Sequence, residues 1–154
     1  MKDRETIEAA ELRASQEDPI VMYLICRESL GMSIGKACAQ AGHVAMMIQI
    51  EYEDLWDDFD ELYGNNNLLL SEQKLVDKKL MYHRWLNTSF RKVTLAASDK
   101  EWEKIKVTIL TEDRVIVIDH GLTEIPSGSE TFMAVWPMYK SQRPKILKKL
   151  QALK

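Results

Sequence analysis

The stretch Val115-Ile-Val-Ile-Asp119-His-Gly-Leu-Thr-Glu-Ile-Pro-Ser-Gly-Ser-Glu-Thr131, running on into Phe132-Met-Ala-Val-Trp136, decides the architecture. Four consecutive β-branched residues at 115–118 read as a buried strand. Residues 131–136 read as another, closed by Pro137. The link between them is short and carries no helical pattern, whereas parallel neighbours need a crossover of roughly a dozen residues or more. The two strands are therefore antiparallel or not adjacent. Upstream, the continuous apolar run at 20–26 reads as a central strand covered on both faces, and 91–97 as a further strand. Helical patterns separate these runs, which is the alternation of an α/β protein. The expected fold is a single α/β domain, a four-stranded mixed sheet with helices on both faces.

The remaining segments fit around that sheet. Residues 1–19 form a loose helix or frayed arm that ends at Asp18-Pro19, because the residue before proline is driven out of helical geometry. Residues 20–154 form the domain proper. A helix starting at Ser33 is expected to continue to about 63, where Gly64 and three asparagines favour left-handed backbone, and a second spans 71–86. Ser98 with Glu101 is a capping box opening a third. A last helix is expected over 143–153, with Ile146, Leu147, Leu150 and Leu153 on its apolar stripe.

Composition bounds the function. The chain has 154 residues, 45% hydrophobic, with a formal net charge of -3. It can bury a proper core and lacks the overall basic signature of a nucleic-acid binder. Charge is uneven: 51–61 carries acids and no base, and the stretch from Lys140 onward carries bases and no acid. Cys26 and Cys38 are too few for a disulfide framework and have no metal spacing, so both read as buried, reduced thiols and no metal or cofactor is expected. The charged N-terminus has no leader-like apolar run, and no stretch has the length of a membrane span. A cytoplasmic protein without membrane contact is expected.

Two segments carry chemistry. Asp119 follows a buried strand directly, at the carboxyl end where open α/β sheets tend to place their sites. The other is Leu30-Gly-Met-Ser-Ile-Gly-Lys36-Ala-Cys-Ala-Gln40-Ala-Gly-His43. It imitates a phosphate-binding loop, but too few residues separate its glycines and Ala37 stands where a magnesium-binding hydroxyl is needed. What it offers is a helical face: Lys36, Gln40 and His43 fall at i, i+4 and i+7. A lysine in a first helical turn opposes the helix dipole and needs a partner, for which Asp119 is the candidate. His43 alone reads first as a core histidine held by a neighbour.

The gapped pattern Met32-x-x-Gly35-Lys36-x-x-Ala39-Gln40-x-x-His43, followed by Asp119-x-Gly121-x-Thr123-x-Ile125-x-x-Gly128-x-x-Thr131, resembles the type 2 peptidyl-tRNA hydrolases from residue 20 to the C-terminus. The resemblance implies hydrolysis of the ester joining a peptide to the terminal ribose of tRNA, without a cofactor, by a protein that is often a homodimer. It implies a catalytic set on Lys36, Asp119, Thr123 and Thr131, with His43 as a second candidate base. Gln40, Gly35, Gly121 and Gly128 fall on substrate-side positions of the same motifs. Asp119 would orient or deprotonate water, Lys36 would stabilise negative charge, and the threonines would place water or carbonyl. Four positions depart from the family pattern. Ile34 replaces a lysine, Ser33 a glycine, Leu122 a frequent base and His120 an alanine, so two cations expected beside the tRNA backbone are missing. The competing reading is a non-catalytic relative that binds tRNA or a protein partner.

Overall fold

The computed structural model describes residues 2–55, 62–121 and 124–154, and the side chains from residue 7 onward within these. Strand β1 (Ile20–Arg27) is buried along nearly its whole length. Its alternate residues supply two cores: Ile20, Met22, Leu24 and Cys26 face one layer, and Val21, Tyr23 and Ile25 the other. Burial raises the Cys26 thiol to about 11, with the charge of Glu28 adding to it, so this cysteine is an inert core residue.

The first layer holds α1 (Lys2–Ser15), α2 (Ile34–Asp54) and α3 (Leu70–Asn87). Ser33 caps α2 by accepting a hydrogen bond from the Lys36 amide, and Gln40, Val44, Ile48 and Tyr52 form its buried stripe. The helix ends at Asp54 and not near 63. Near that end the buried Lys79 Nζ of α3 donates to the Tyr52 carbonyl at 3.1 Å, meeting the carbonyl end of the dipole. Stacking of Tyr52 on Tyr82, centroids 4.2 Å apart, joins the two helices. The second half of the acidic segment, 56–61, lies outside the described residues. The N-terminal segment is helical from Lys2 to Ser15: Ala10 enters the first core, and the Arg13 guanidinium stacks on the Tyr139 ring and pairs with Asp18.

The opposite layer holds α4 (Asp99–Thr108) and α5 (Lys145–Lys149), which bury Trp102, Ile105, Ile146 and Leu147. The expected capping box opens α4: the Glu101 amide donates to Ser98 Oγ and the Ser98 amide to Glu101 Oε1. Helices thus cover both faces, as the continuous apolar runs require.

Among the described residues the sheet has six strands, not four. Its order is β3 (Arg114–Asp119), β4 (Ser129–Val135), β1, β2 (Arg91–Ala97), β6 (Gln151–Ala152), with β5 (Met138–Tyr139) also on β1. β1 and β2 run parallel, and β3 pairs antiparallel with β4. The two extra strands are two-residue pieces with no readable period. β5 arises because Pro137 has no amide to continue β4, after which the chain rejoins the same edge of β1.

The helix expected over 143–153 is also corrected. α5 stops at Lys149, Leu150 is extended, and β6 pairs with β2 while the Leu153 amide donates to the Thr94 carbonyl at 3.0 Å. Ile146, Leu147 and Leu150 belong to one core, whereas Leu153 packs against the other. A single helical stripe cannot reach both sides of a sheet, and a strand crossing its edge can.

Candidate active site

Asp119 ends β3, and Ser129, its partner in register, begins β4. The loop between them returns tightly: Gly128, at φ 86°, donates its amide to the Asp119 carbonyl at 2.5 Å. That backbone angle is accessible to glycine at no steric cost. Burial of Ile125 anchors the middle of the loop. The Gly121 amide donates to Asp119 Oδ1 at 3.0 Å, a local turn that fixes the carboxylate plane.

The other carboxylate oxygen, Oδ2, meets Lys36 Nζ at 2.8 Å. Their side chains are only 9% and 13% exposed, so the two motifs join through a largely desolvated ion pair. The first turn of α2 delivers the lysine, although the dipole there disfavours a cation; Asp119 offsets that cost. A pair in such surroundings interacts more strongly than on a surface, while each charge is expensive to leave alone.

Behind the pair, Thr131 Oγ1 donates to Gln40 Oε1 at 2.6 Å. Both residues are buried, Thr131 completely at 0% exposure. The pairing register moves from Val117 opposite Phe132 to Ile118 opposite Glu130, so Thr131 is the extra residue of a bulge. Such a bulge re-aims a side chain and is common beside functional sites. Its neighbour Glu130 serves the opposite layer: its carboxylate accepts from Trp102 Nε1 at 2.8 Å and pairs with Lys106 at 3.0 Å.

The structure therefore brings together Lys36, Asp119, Gly121, Gly128, Gln40 and Thr131. His43 is exposed on α2, so it is not a core histidine. Cys38 is exposed too; it lies off the buried stripe, and the small residues around it misled the sequence reading. Gly35 is exposed, and a Cβ there would meet nothing within 4 Å, which leaves its glycine without a packing reason. Thr123 and Leu122 lie outside the described residues. Among the described residues no group of His, Cys, Asp or Glu is arranged to hold a metal ion, and no helix is long and apolar enough to cross a membrane.

Sequence reasoning missed one partnership. Ser33 Oγ donates to Glu124 Oε1 at 2.7 Å and the Ser33 amide to Glu124 Oε2 at 3.1 Å. These bonds, with the charge of Lys36 and against slight desolvation, hold the Glu124 carboxyl below its ordinary range. The sequence marks Ser33 only as the start of the helix, a place where serine commonly caps. Its partner, on a distant loop, has no local signal.

Comparisons with known proteins follow the same boundaries. The chain is 30% identical over 132 residues to a probable peptidyl-tRNA hydrolase 2 of Dictyostelium discoideum, covering 83% of this chain and 52% of that protein. It is 27% identical to peptidyl-tRNA hydrolase 2 of Saccharomyces cerevisiae, over 78% of this chain and 51% of the yeast protein. A peptidyl-tRNA hydrolase of Pyrobaculum aerophilum is 28% identical, over 77% of this chain and 84% of its own length. The chain thus spans about half the length of the first two relatives and most of the third. With the model of the family described as peptidyl-tRNA hydrolase PTH2 matching residues 20–153, from the start of β1 to just past β6, this chain belongs to that family.

Proposed function

We propose that this protein hydrolyses the ester between a peptide and the terminal ribose of tRNA, releasing peptide and free tRNA, with residues 20–154 as the catalytic unit. The observation that carries the reading is the desolvated Lys36–Asp119 pair at 2.8 Å, which unites the two motifs. An ester is already reactive, so the protein chiefly has to place a water and stabilise the oxyanion. Asp119, with Oδ1 held by Gly121 and Oδ2 by Lys36, orients the attacking water and accepts its proton as the C–O bond forms. Lys36 supplies positive charge to the tetrahedral oxyanion. The proton then passes to the departing ribose oxygen as the ester C–O bond breaks. The burial of Asp119 beside Lys36, set against the exposure of His43, supports Asp119 over His43 in this role. Thr123 completes the set by its motif position. The resemblance likewise supports action in the cytoplasm, as a homodimer, without cofactor.

The test is release of an N-blocked amino acid or peptide from tRNA by purified protein, with free aminoacyl-tRNA as control. Release is expected to persist in EDTA and to spare the unblocked substrate. Tight tRNA binding with no release over a long incubation would replace hydrolysis with the binding-protein reading.

Ile34 gives a second expectation. It is the first residue of α2, 85% exposed, where the resemblance puts a lysine. Ile34→Lys should lower KM and steepen the slope of log affinity against log salt by somewhat less than one unit, the signature of roughly one added phosphate contact. Turnover should hardly change, since uniform binding does not accelerate the chemical step. An unchanged KM and salt slope would show that this end of α2 does not face the nucleic acid.

A further inference from the structure

Among the described residues, the end of β3 and the loop that follows it each touch the start of α2 through a carboxylate. Asp119 takes the Lys36 ammonium, and Glu124 accepts from both hydrogen-bond donors of Ser33, its hydroxyl and its amide. The same Ser33 hydroxyl accepts from the Lys36 amide at 3.3 Å. Glu124, Ser33 and the Lys36 backbone amide are therefore one continuous hydrogen-bonded chain, which ends on the backbone of the residue whose ammonium pairs with Asp119. Glu124 is exposed, so burial does not account for its placement. A carboxylate before the first turn of a helix also satisfies its positive end, which the lysine in that turn opposes.

We propose that Glu124 is a positioning residue for the site: by clamping the Ser33 cap of α2 it locks the loop onto the helix and sets Lys36 against Asp119. The proposal rests on the hydrolase reading for its kinetic consequence, but not for the clamp itself. Lys36 needs such a device. Its side chain is long and flexible, and a small displacement of a charge that stabilises a transition state is costly in rate. Two hydrogen bonds accepted by an ionised carboxylate, one from the Ser33 amide and one from its hydroxyl, are the stronger kind. They also tie together two elements that are far apart in sequence.

The experiment compares wild type with Glu124→Ala, Glu124→Gln, Ser33→Ala and the Glu124→Ala/Ser33→Ala double variant. It reads residue-resolved amide exchange of the free protein, melting temperature, and kcat and KM separately. Glu124→Ala should accelerate exchange at the Ser33 and Lys36 amides by about tenfold or more, as local opening becomes easier, with the melting temperature little changed. It should lower kcat by about tenfold, with KM nearly constant, as expected when orientation and not substrate contact is lost. Glu124→Gln keeps an acceptor for Ser33 and should recover much of both effects. The double variant should be scarcely worse than the singles, because all break one chain of bonds. Unaltered exchange in Glu124→Ala overturns the clamp. Faster exchange with unaltered kcat overturns the positioning role. A wild type that shows no turnover overturns the hydrolase reading and the kinetic role with it, and the exchange data then decide the clamp separately.

Discussion

Asp119→Asn and Lys36→Ala are each expected to lower kcat on the order of a hundredfold or more, the usual consequence of removing a preorganised electrostatic group. Both also carry a stability cost, because their partners are nearly desolvated. Asp119→Asn keeps the shape and the bond from Gly121 but leaves the Lys36 ammonium beside a neutral amide. Breaking a fully buried pair costs about 3–5 kcal/mol, and the residual exposure of this one places the expected loss at the lower end. Activity must therefore be normalised to folded protein. The decisive variant is Asp119→Asn combined with Lys36→Met, which removes both charges together. It should regain much of the stability lost in the singles, since replacing a buried pair by neutral groups is often close to neutral, yet remain as slow as Asp119→Asn. If the double variant turned over like wild type, the pair would be a structural tie and the reacting groups would lie elsewhere.

Most of the scaffold was legible because its signals are local and strong. β2 has the expected bounds, the capping box at Ser98 is formed, and the short link after Asp119 left β3 and β4 antiparallel or not adjacent, of which the antiparallel pairing is the one formed. What was not legible depends on partners distant in sequence. The last turn of α2 is met by Lys79, a core lysine that no periodicity announces. β6 exists because β2 has an open edge for the chain after α5, and the leucine stripe around it counts equally well as helix. In the site, proximity of Lys36 to Asp119 followed from charge and dipole reasoning. The burial of Gln40 and the exposure of His43 did not, although the two are less than one turn apart on α2. The buried face of α2 advances by four residues at each step, from Lys36 through Gln40 to Val44 and Ile48, and this advance leaves His43 outside.

The bulge at Thr131 was the least predictable feature, and it leads to the other large expectation. Its hydroxyl donates inward to Gln40 and its side chain has no solvent exposure, so it supports the site from behind. Thr131→Val preserves shape but leaves the Gln40 carbonyl oxygen without that donor in a buried place. Such an orphan costs about 1–3 kcal/mol, and each kcal/mol lowers the melting temperature of a domain this size by roughly 2–4 °C. Turnover should fall by roughly tenfold, the equivalent of one contact of about 1.4 kcal/mol, well short of the Asp119→Asn effect. Thr131→Ser, which keeps the donor, should stay near wild type in both measures. Pairing Thr131→Val with Gln40→Met removes donor and acceptor together, so stability should return while the rate stays low, because the loop strand has lost its tie to α2. A Thr131→Val protein as stable and as fast as wild type would mean that the bulge holds nothing the reaction uses. A Thr131→Val protein as slow as Asp119→Asn would instead put the hydroxyl in contact with the reacting atoms.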